Sequence, residues 1–380
     1  MAAILNVRAV VRGYRLTPTI SEALIRLLDD HVSDVHSKTR ISARALSIKT
    51  QEYRVRGICA ALVELREGGF ALATPWSLKR KHIEWLVQHW VGARQSGGTI
   101  ENKLTYLRAL AGWMSKDNLV GTLDDYTDRK GNGLVRSYVA EVDRSWAANG
   151  VSAHEKIAAI AGTCPRVAVQ LRLQAAFGLR IEESFMLQPA RAVKDKDVLE
   201  VTRGTKGGRA REVPIEERYD VLEAAARLAN PLTGSTVPAD RTLKQWRDWY
   251  YYVLARHGIT KSALGVTSHG LRHQYLQEVY ERVSGVAAPV KQSDARPDPE
   301  LHAQAMRRVV EAAGHSRLTK ANAYLSTFAQ QDRLGKHNPT QAEARAALEA
   351  AGGNKTHAAS ALGISRQALY RLLDAGMEQA

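Results

Sequence analysis

The chain has 380 residues, 44% hydrophobic and 24% charged, with a formal net charge of +15 and a pI near 9.8. That length accommodates two or three domains, each with its own core, and no apolar run reaches the ~20 residues that span a bilayer. The Lys and Arg excess points to a polyanionic partner, since each cation set beside a phosphate releases condensed counterions. A membrane surface is disfavoured, because no strongly basic amphipathic helix carries a bulky aromatic face.

Arg8 and Arg12 interrupt the apolar N-terminus and no small-residue cleavage site follows, so no signal peptide is expected. Cys59 and Cys164 lie far apart without metal-ligand spacing, which fits a reducing, cytosolic setting. Residues 1–47 are basic and weakly patterned; no element is placed there and their role is left open. From Thr50 the pattern turns helical: Val55, Ile58, Leu62 and Leu65 recur at spacings of three and four. A second helix follows the basic cluster Lys79-Arg80-Lys81-His82 and carries Ile83, Leu86, Val87 and Trp90. The third has Ile100, Leu104, Leu107, Ala111 and Met114, with Thr99 expected as N-cap after Gly97-Gly98. These helices predict a small bundle ending near Val120. The polar stretch Asp124–Asn132 then marks a boundary.

A second, mostly helical region is predicted over 151–328. Its one β signal is Val198-Leu199-Glu200-Val201, a Gly-rich turn at 204–208, and Arg211-Glu212-Val213-Pro214-Ile215, which together read as a hairpin. Residues 284–299, with Pro289, Pro297 and Pro299, read as a flexible loop. The last forty residues form a separate three-helix module. Thr340 and Glu343 make a capping box for its first helix, Gly352-Gly353 ends that helix, Asn354 starts the second and Ser365 caps the third.

Four segments offer cationic or proton-transferring side chains: Arg180 in Gly178-Leu179-Arg180-Ile181-Glu182-Glu183, Lys206 at the hairpin turn, His269-Gly270-Leu271-Arg272-His273, and Gly314-His315-Ser316 with Tyr324 nine residues beyond His315. Taken singly, each has a bland explanation. A lone arginine on a helix is usually solvated or salt-bridged, a Gly-rich turn with lysine is usually only a turn, and thirteen tyrosines make half-buried packing the default for any one.

In this order, the four segments resemble the tyrosine recombinase (phage integrase) family over residues 150–328. Residues 48–125 resemble its core-binding domain more loosely. The resemblance implies a fold that is mainly α with a small β-sheet: a helical core-binding bundle, a tyrosine-recombinase catalytic domain and a C-terminal helix-turn-helix. The implied layout is 1–47 basic segment, 48–125 core-binding domain, 126–150 linker, 151–330 catalytic domain and 331–380 terminal module. It further implies that Arg180 and Arg272 clamp the scissile phosphate, for which a planar, permanently charged fork is suited. Lys206 would protonate the 5′-hydroxyl leaving group, His269 would give acid–base support, and His315 would bond the phosphate and place the nucleophile. Tyr324 would form a 3′-phosphotyrosine, Glu183 would support the site through hydrogen bonds, and His273 would be structural. The phosphotyrosine keeps the bond energy, so no cofactor and no metal are expected, in keeping with the lack of a P-loop or acidic metal cluster in the sequence.

The family pattern is departed from in two places. His273 and His315 are 42 residues apart, roughly twenty more than in compact members, and Val310-Glu311-Ala312-Ala313 replaces the usual paired leucines. The chain also continues 56 residues past Tyr324. That extension, Asn354–Leu373, resembles the Fis-like helix-turn-helix class, whose last helix would present Arg366, Gln367, Tyr370 and Arg371 to a major groove; packing against protein is the alternative. The expected partners are double-stranded DNA recombination sites, further copies of the chain in a homotetramer, and a directionality or architectural DNA-bending protein. Rival readings are a topoisomerase-like nicking-closing enzyme and a non-catalytic DNA-binding regulator.

Overall fold

The computed structural model describes residues 5–35, 46–195, 197–335, 341–364 and 366–374. The chain divides into two compact units, Met1–Ser137 and Tyr138–Ala380. In the first, the N-terminal segment corrects the sequence reading, because it holds two helices, α1 (Val7–Arg12) and α2 (Pro18–His31). Thr17 accepts the Ile20 N–H and Pro18 occupies the first turn, where its missing N–H costs nothing. Ile20, Leu24, Leu27 and Leu28 form a buried stripe at helical spacing.

α3 (Ile48–Glu67), α4 (Arg80–Gly92) and α5 (Gly97–Trp113) bury the three predicted stripes and share one core with α1 and α2. The start of α5 differs from expectation: Ser96, rather than Thr99, is the N-cap, its hydroxyl accepting the Thr99 N–H at 3.3 Å. Gly97 lies inside the helix for steric reasons, since a Cβ there would fall 1.8 Å from the Leu134 carbonyl oxygen.

The second unit contains α6 (Ala153–Ala161), α7 (Pro165–Phe177), α8 (Ile181–Met186) and α9 (Pro189–Ala192). A three-stranded antiparallel sheet follows, in the order β1 (Val193–Lys194), β2 (Val198–Val201) and β3 (Arg211–Pro214). Val198 pairs with Pro214 and Val201 with Arg211, as a hairpin requires; the short β1 adds an unpredicted edge, with Val193 opposite Leu199. Then come α10 (Tyr219–Arg227), α11 (Leu243–Arg256), α12 (His269–Ser284), α13 (Pro299–Ala312), α14 (Asn322–Leu325) and α15 (Phe328–Gly335). The segment read as a loop contains one 3₁₀ turn, Pro289–Lys291, and ends at Asp298, which caps α13. α12 is central, packing on α7, α13 and α14, so it meets both the helix that leads to Arg180 and the tyrosine segment.

The terminal module is α16 (Gln341–Ala350), α17 (Lys355–Ala361) and α18 (Arg366–Asp374), packed on one another around Ala344, Ala358, Ala359 and Leu369. Asn354 caps α17, accepting the Thr356 and His357 N–H groups. The expected caps Thr340 and Ser365 lie outside the described residues, as does the Arg371 side chain. No described helix is long and apolar enough to cross a membrane. The architecture is thus mainly helical with one small sheet.

Candidate active site

α7 ends at Gly178, whose left-handed φ of 58° stops the helix and turns the chain toward Arg180. A side chain is also excluded there, since a Cβ would lie 2.3 Å from the Tyr275 ring. Gly178 leaves its carbonyl as an acceptor for Arg272 Nη1. Arg272 is fully buried on α12, and its Nη2 donates to the Ala313 carbonyl at 2.7 Å. Arg180 Nη2 donates to that same oxygen at 2.9 Å. One peptide carbonyl, immediately before Gly314-His315, therefore orients both guanidinium groups.

Tyr324 lies on the single-turn α14 and is 7% exposed. Its hydroxyl is 3.4 Å from Arg272 Nε and 3.4 Å from His315 Nε2. The Arg272 guanidinium stands 5.6 Å from the Tyr324 ring centre, and the His273 ring centre is 4.9 Å away. Of the five N–H donors of a guanidinium, Arg272 commits three in these contacts, leaving one on each Nη.

Glu183 is fully buried and holds the other side of the clamp. It accepts the Arg180 N–H at 2.7 Å and Arg180 Nη1 at 2.6 Å. Burial alone would raise its pKa, but the Arg211 hydrogen bond and the charges of Arg211 and Arg180 outweigh that and hold it at about 2. Arg211, absent from the sequence-predicted set, reaches Glu183 Oε1 with Nη1 at 2.5 Å. Its signal was strand phase: Arg211 alternates in register with buried Val213, while Glu212 and Pro214 face out. An inward arginine needs a buried acceptor.

The histidines are held neutral. His269, open to solvent at one edge, is pushed down to about 4 by its dense surroundings and then by Arg272 and Arg180. Half-buried His315 is likewise lowered to about 4 by burial, Arg180, Arg272 and Lys206. Buried His273 is lowered to about 3 by burial and then by His269, and its Nδ1 has no partner among the described residues. Lys206 is exposed on a 3₁₀ turn at the hairpin tip, within electrostatic reach of His315. Exposed Arg144 and Lys320, also not predicted, add to the positive field on these histidines.

The structure thus brings Arg180, Glu183, Arg272, His315 and Tyr324 into one bonded cluster, with His269 and His273 against it and Lys206 at its edge. Lys79, Arg80 and Lys81 belong to the other unit and are exposed at the start of α4, where Arg80 pairs with Glu84 at 2.9 Å. Arg366, Gln367 and Tyr370 are exposed on α18, and the Lys355 ammonium stands 4.8 Å from the Tyr370 ring centre. Among the described residues no group of three or more His, Cys, Asp and Glu side chains is arranged to hold a metal ion.

Buried Arg272 and half-buried Arg180 thus meet at the Ala313 carbonyl, and Arg272 reaches on to the Tyr324 hydroxyl. Residues 145–278 match the family model described as Integrase, and residues 37–120 match Phage integrase, N-terminal. The chain belongs to the phage integrase family, the tyrosine recombinases, and residues 345–375 match Bacterial regulatory protein, Fis family. The Integrase match includes Arg180, Lys206, His269 and Arg272 and stops before His315 and Tyr324.

Among solved structures, the chain is similar to a lambda integrase dimer bound to a COC′ core site, at 14% identity and a TM-score of 0.49, over 79% of this chain and 94% of that one. It is also similar to XerH site-specific recombinase bound to a palindromic difH substrate, at 10% identity and 0.45, over 86% and 92%. A Tn1549 transposon integrase in complex with circular intermediate DNA matches at 15% identity and 0.46, over 81% and 97%. No curated protein matches.

Proposed function

We propose that the protein is a site-specific DNA recombinase that cleaves and rejoins DNA through a 3′-phosphotyrosine on Tyr324. The observation that carries this reading is the Tyr324 hydroxyl at 3.4 Å from both Arg272 Nε and His315 Nε2. The phosphate binds the outward N–H groups of Arg180 and Arg272, which stabilise charge on the non-bridging oxygens as the phosphorus becomes five-coordinate. The tyrosine oxygen bonds to phosphorus, the bond to the 5′ oxygen breaks, and Lys206 supplies that oxygen with a proton. Neutral His315 is the nearer acceptor for the tyrosine proton, and the incoming phosphate charge makes it more basic by offsetting the arginines. His269 supports the phosphate from the start of α12, and Glu183 with Arg211 holds Arg180 in place. Rejoining is the reverse attack by a 5′-hydroxyl, so the proposed cycle has no step for a cofactor or metal.

On this reading residues 48–125 grip the core site, 126–150 link them to the catalytic domain at 151–330, and 331–380 contact flanking DNA through Arg366, Gln367, Tyr370 and Arg371. The working form is a homotetramer on two duplexes in the cytoplasm, with a directionality or DNA-bending protein as accessory. A nicked suicide duplex tests the proposal: wild type accumulates a covalent adduct that Tyr324→Phe does not form. Equal adduct from both proteins would remove Tyr324 from the mechanism.

A further inference from the structure

We infer that Arg296 is a positioning residue for Tyr324, acting through α15; this rests on the reading of Tyr324 as the nucleophile. Arg296 lies in the segment between α12 and α13 where the chain exceeds the compact family length. Its Nη2 donates to Asp332 at 2.5 Å and its Nη1 to Gln331 Oε1 at 3.4 Å, while its guanidinium stands 4.5 Å from the Phe328 ring centre. Buried Gln331 donates back to the Ser293 carbonyl at 2.7 Å, and Arg296 Nη1 reaches that same carbonyl at 3.1 Å. From below, Tyr280 bonds His302 at 2.8 Å and the His302 ring meets Phe328 with centres 5.5 Å apart. The surplus segment therefore grips α15 on three of its residues.

Only Ser326 and Thr327 separate α15 from the helix that carries Tyr324. Ser326 is buried with φ 65° and ψ −162°, a conformation open to glycine and strained for any residue with a Cβ. Such an elbow persists only where the chain on both sides is held. On the nucleophile side, the Asn322 carbonyl accepts the Ala140 N–H at 2.8 Å and Gln277 reaches the Tyr324 carbonyl at 3.4 Å. On the other side, the holding contacts are those of Arg296 and Gln331, with the His302 ring against Phe328. Releasing α15 lets the elbow relax, and the residue two positions before it is the one whose hydroxyl must meet the phosphate. A 1 Å error in that placement is enough to slow an in-line attack.

The test is single-turnover adduct formation on the suicide duplex with full-length protein at saturating concentration, beside DNA affinity and thermal midpoint. Arg296→Ala is expected to slow adduct formation about tenfold, a loss of the size given by one ion pair plus one cation–π contact, with affinity unchanged. Exchanging the charges, Arg296→Asp with Asp332→Arg, is expected to recover most of that rate over either single variant. A wild-type rate in Arg296→Ala, or a double variant no faster than the singles, overturns the inference while wild-type adduct still upholds Tyr324. Absence of adduct from wild type itself overturns the proposed function and this inference with it.

Discussion

Arg272→Lys keeps the charge at the centre of the cluster and removes the planar fork. In the structure that fork is anchored at the Gly178 and Ala313 carbonyls and directs Nε at Tyr324. The Ala313 oxygen keeps Arg180 as donor after the change, whereas the Gly178 carbonyl is left without its partner. An orphaned buried acceptor costs about 1–3 kcal/mol of stability, so the thermal midpoint of a unit the size of Tyr138–Ala380 falls by roughly 2–4 °C per kcal/mol. The kinetic loss is separate. A lysine offers one point donor where two N–H groups would meet the phosphate, and loss of a preorganised transition-state donor costs about 3–4 kcal/mol, on the order of 10²–10³ in rate. Single-turnover adduct formation on a nicked duplex, read at a temperature where both proteins are folded, separates the two effects. A near-wild-type rate in Arg272→Lys would refute the fork argument, whatever happens to the melting point.

Lys206→Ala is expected to lose cleavage on ordinary DNA and regain it on a substrate with sulfur at the 5′-bridging position, which departs without a proton; equal defects on both substrates would give Lys206 another role. His273 is neutral in the folded state, with its pKa near 3 against about 6.5 unfolded. Its contribution to stability is therefore complete above pH 6.5 and is lost as the pH falls below that value, by about 2 kcal/mol at pH 5. His273→Phe should flatten urea-derived stability over pH 5–7.5 by about that amount, and an unchanged slope would contradict the buried, neutral assignment. Truncation after Asn338 is expected to spare adduct formation on a short core duplex and weaken binding to longer DNA. Arg366→Ala and Arg371→Ala should each lower the salt slope of binding by about one counterion. Loss of short-duplex cleavage with normal binding by the point variants would make the module a packing element.

The site's residue types and order were legible because each sits in a short motif with a mechanical reason: a glycine stop before Arg180, a hairpin tip at Lys206, one helical turn from His269 to Arg272. The hairpin was legible from period two. What sequence reading missed lies where local signals compete. α2 carries an apolar stripe at helical spacing, Ile20, Leu24, Leu27 and Leu28, in a segment where no element was placed. Gly97-Gly98 looked like a break before a helix, yet both lie inside α5, with Gly97 packed directly on the Leu134 backbone. Arg211 was read only as part of a hairpin strand, and its phase with Val213 is what marks it as buried beside Glu183. The shared use of the Ala313 carbonyl by Arg180 and Arg272 joins residues 133 and 41 positions apart, which no spacing rule reaches.

The measurement closest to the central claim is recovery of DNA covalently attached to the protein from a suicide duplex, followed by peptide mapping of the attachment point. The account predicts a phosphodiester link from Tyr324 to the 3′ end of the cleaved strand, formed by wild type in chelator and absent from Tyr324→Phe. Attachment at Tyr275 or Tyr280, or adduct persisting in the Phe variant, would contradict it.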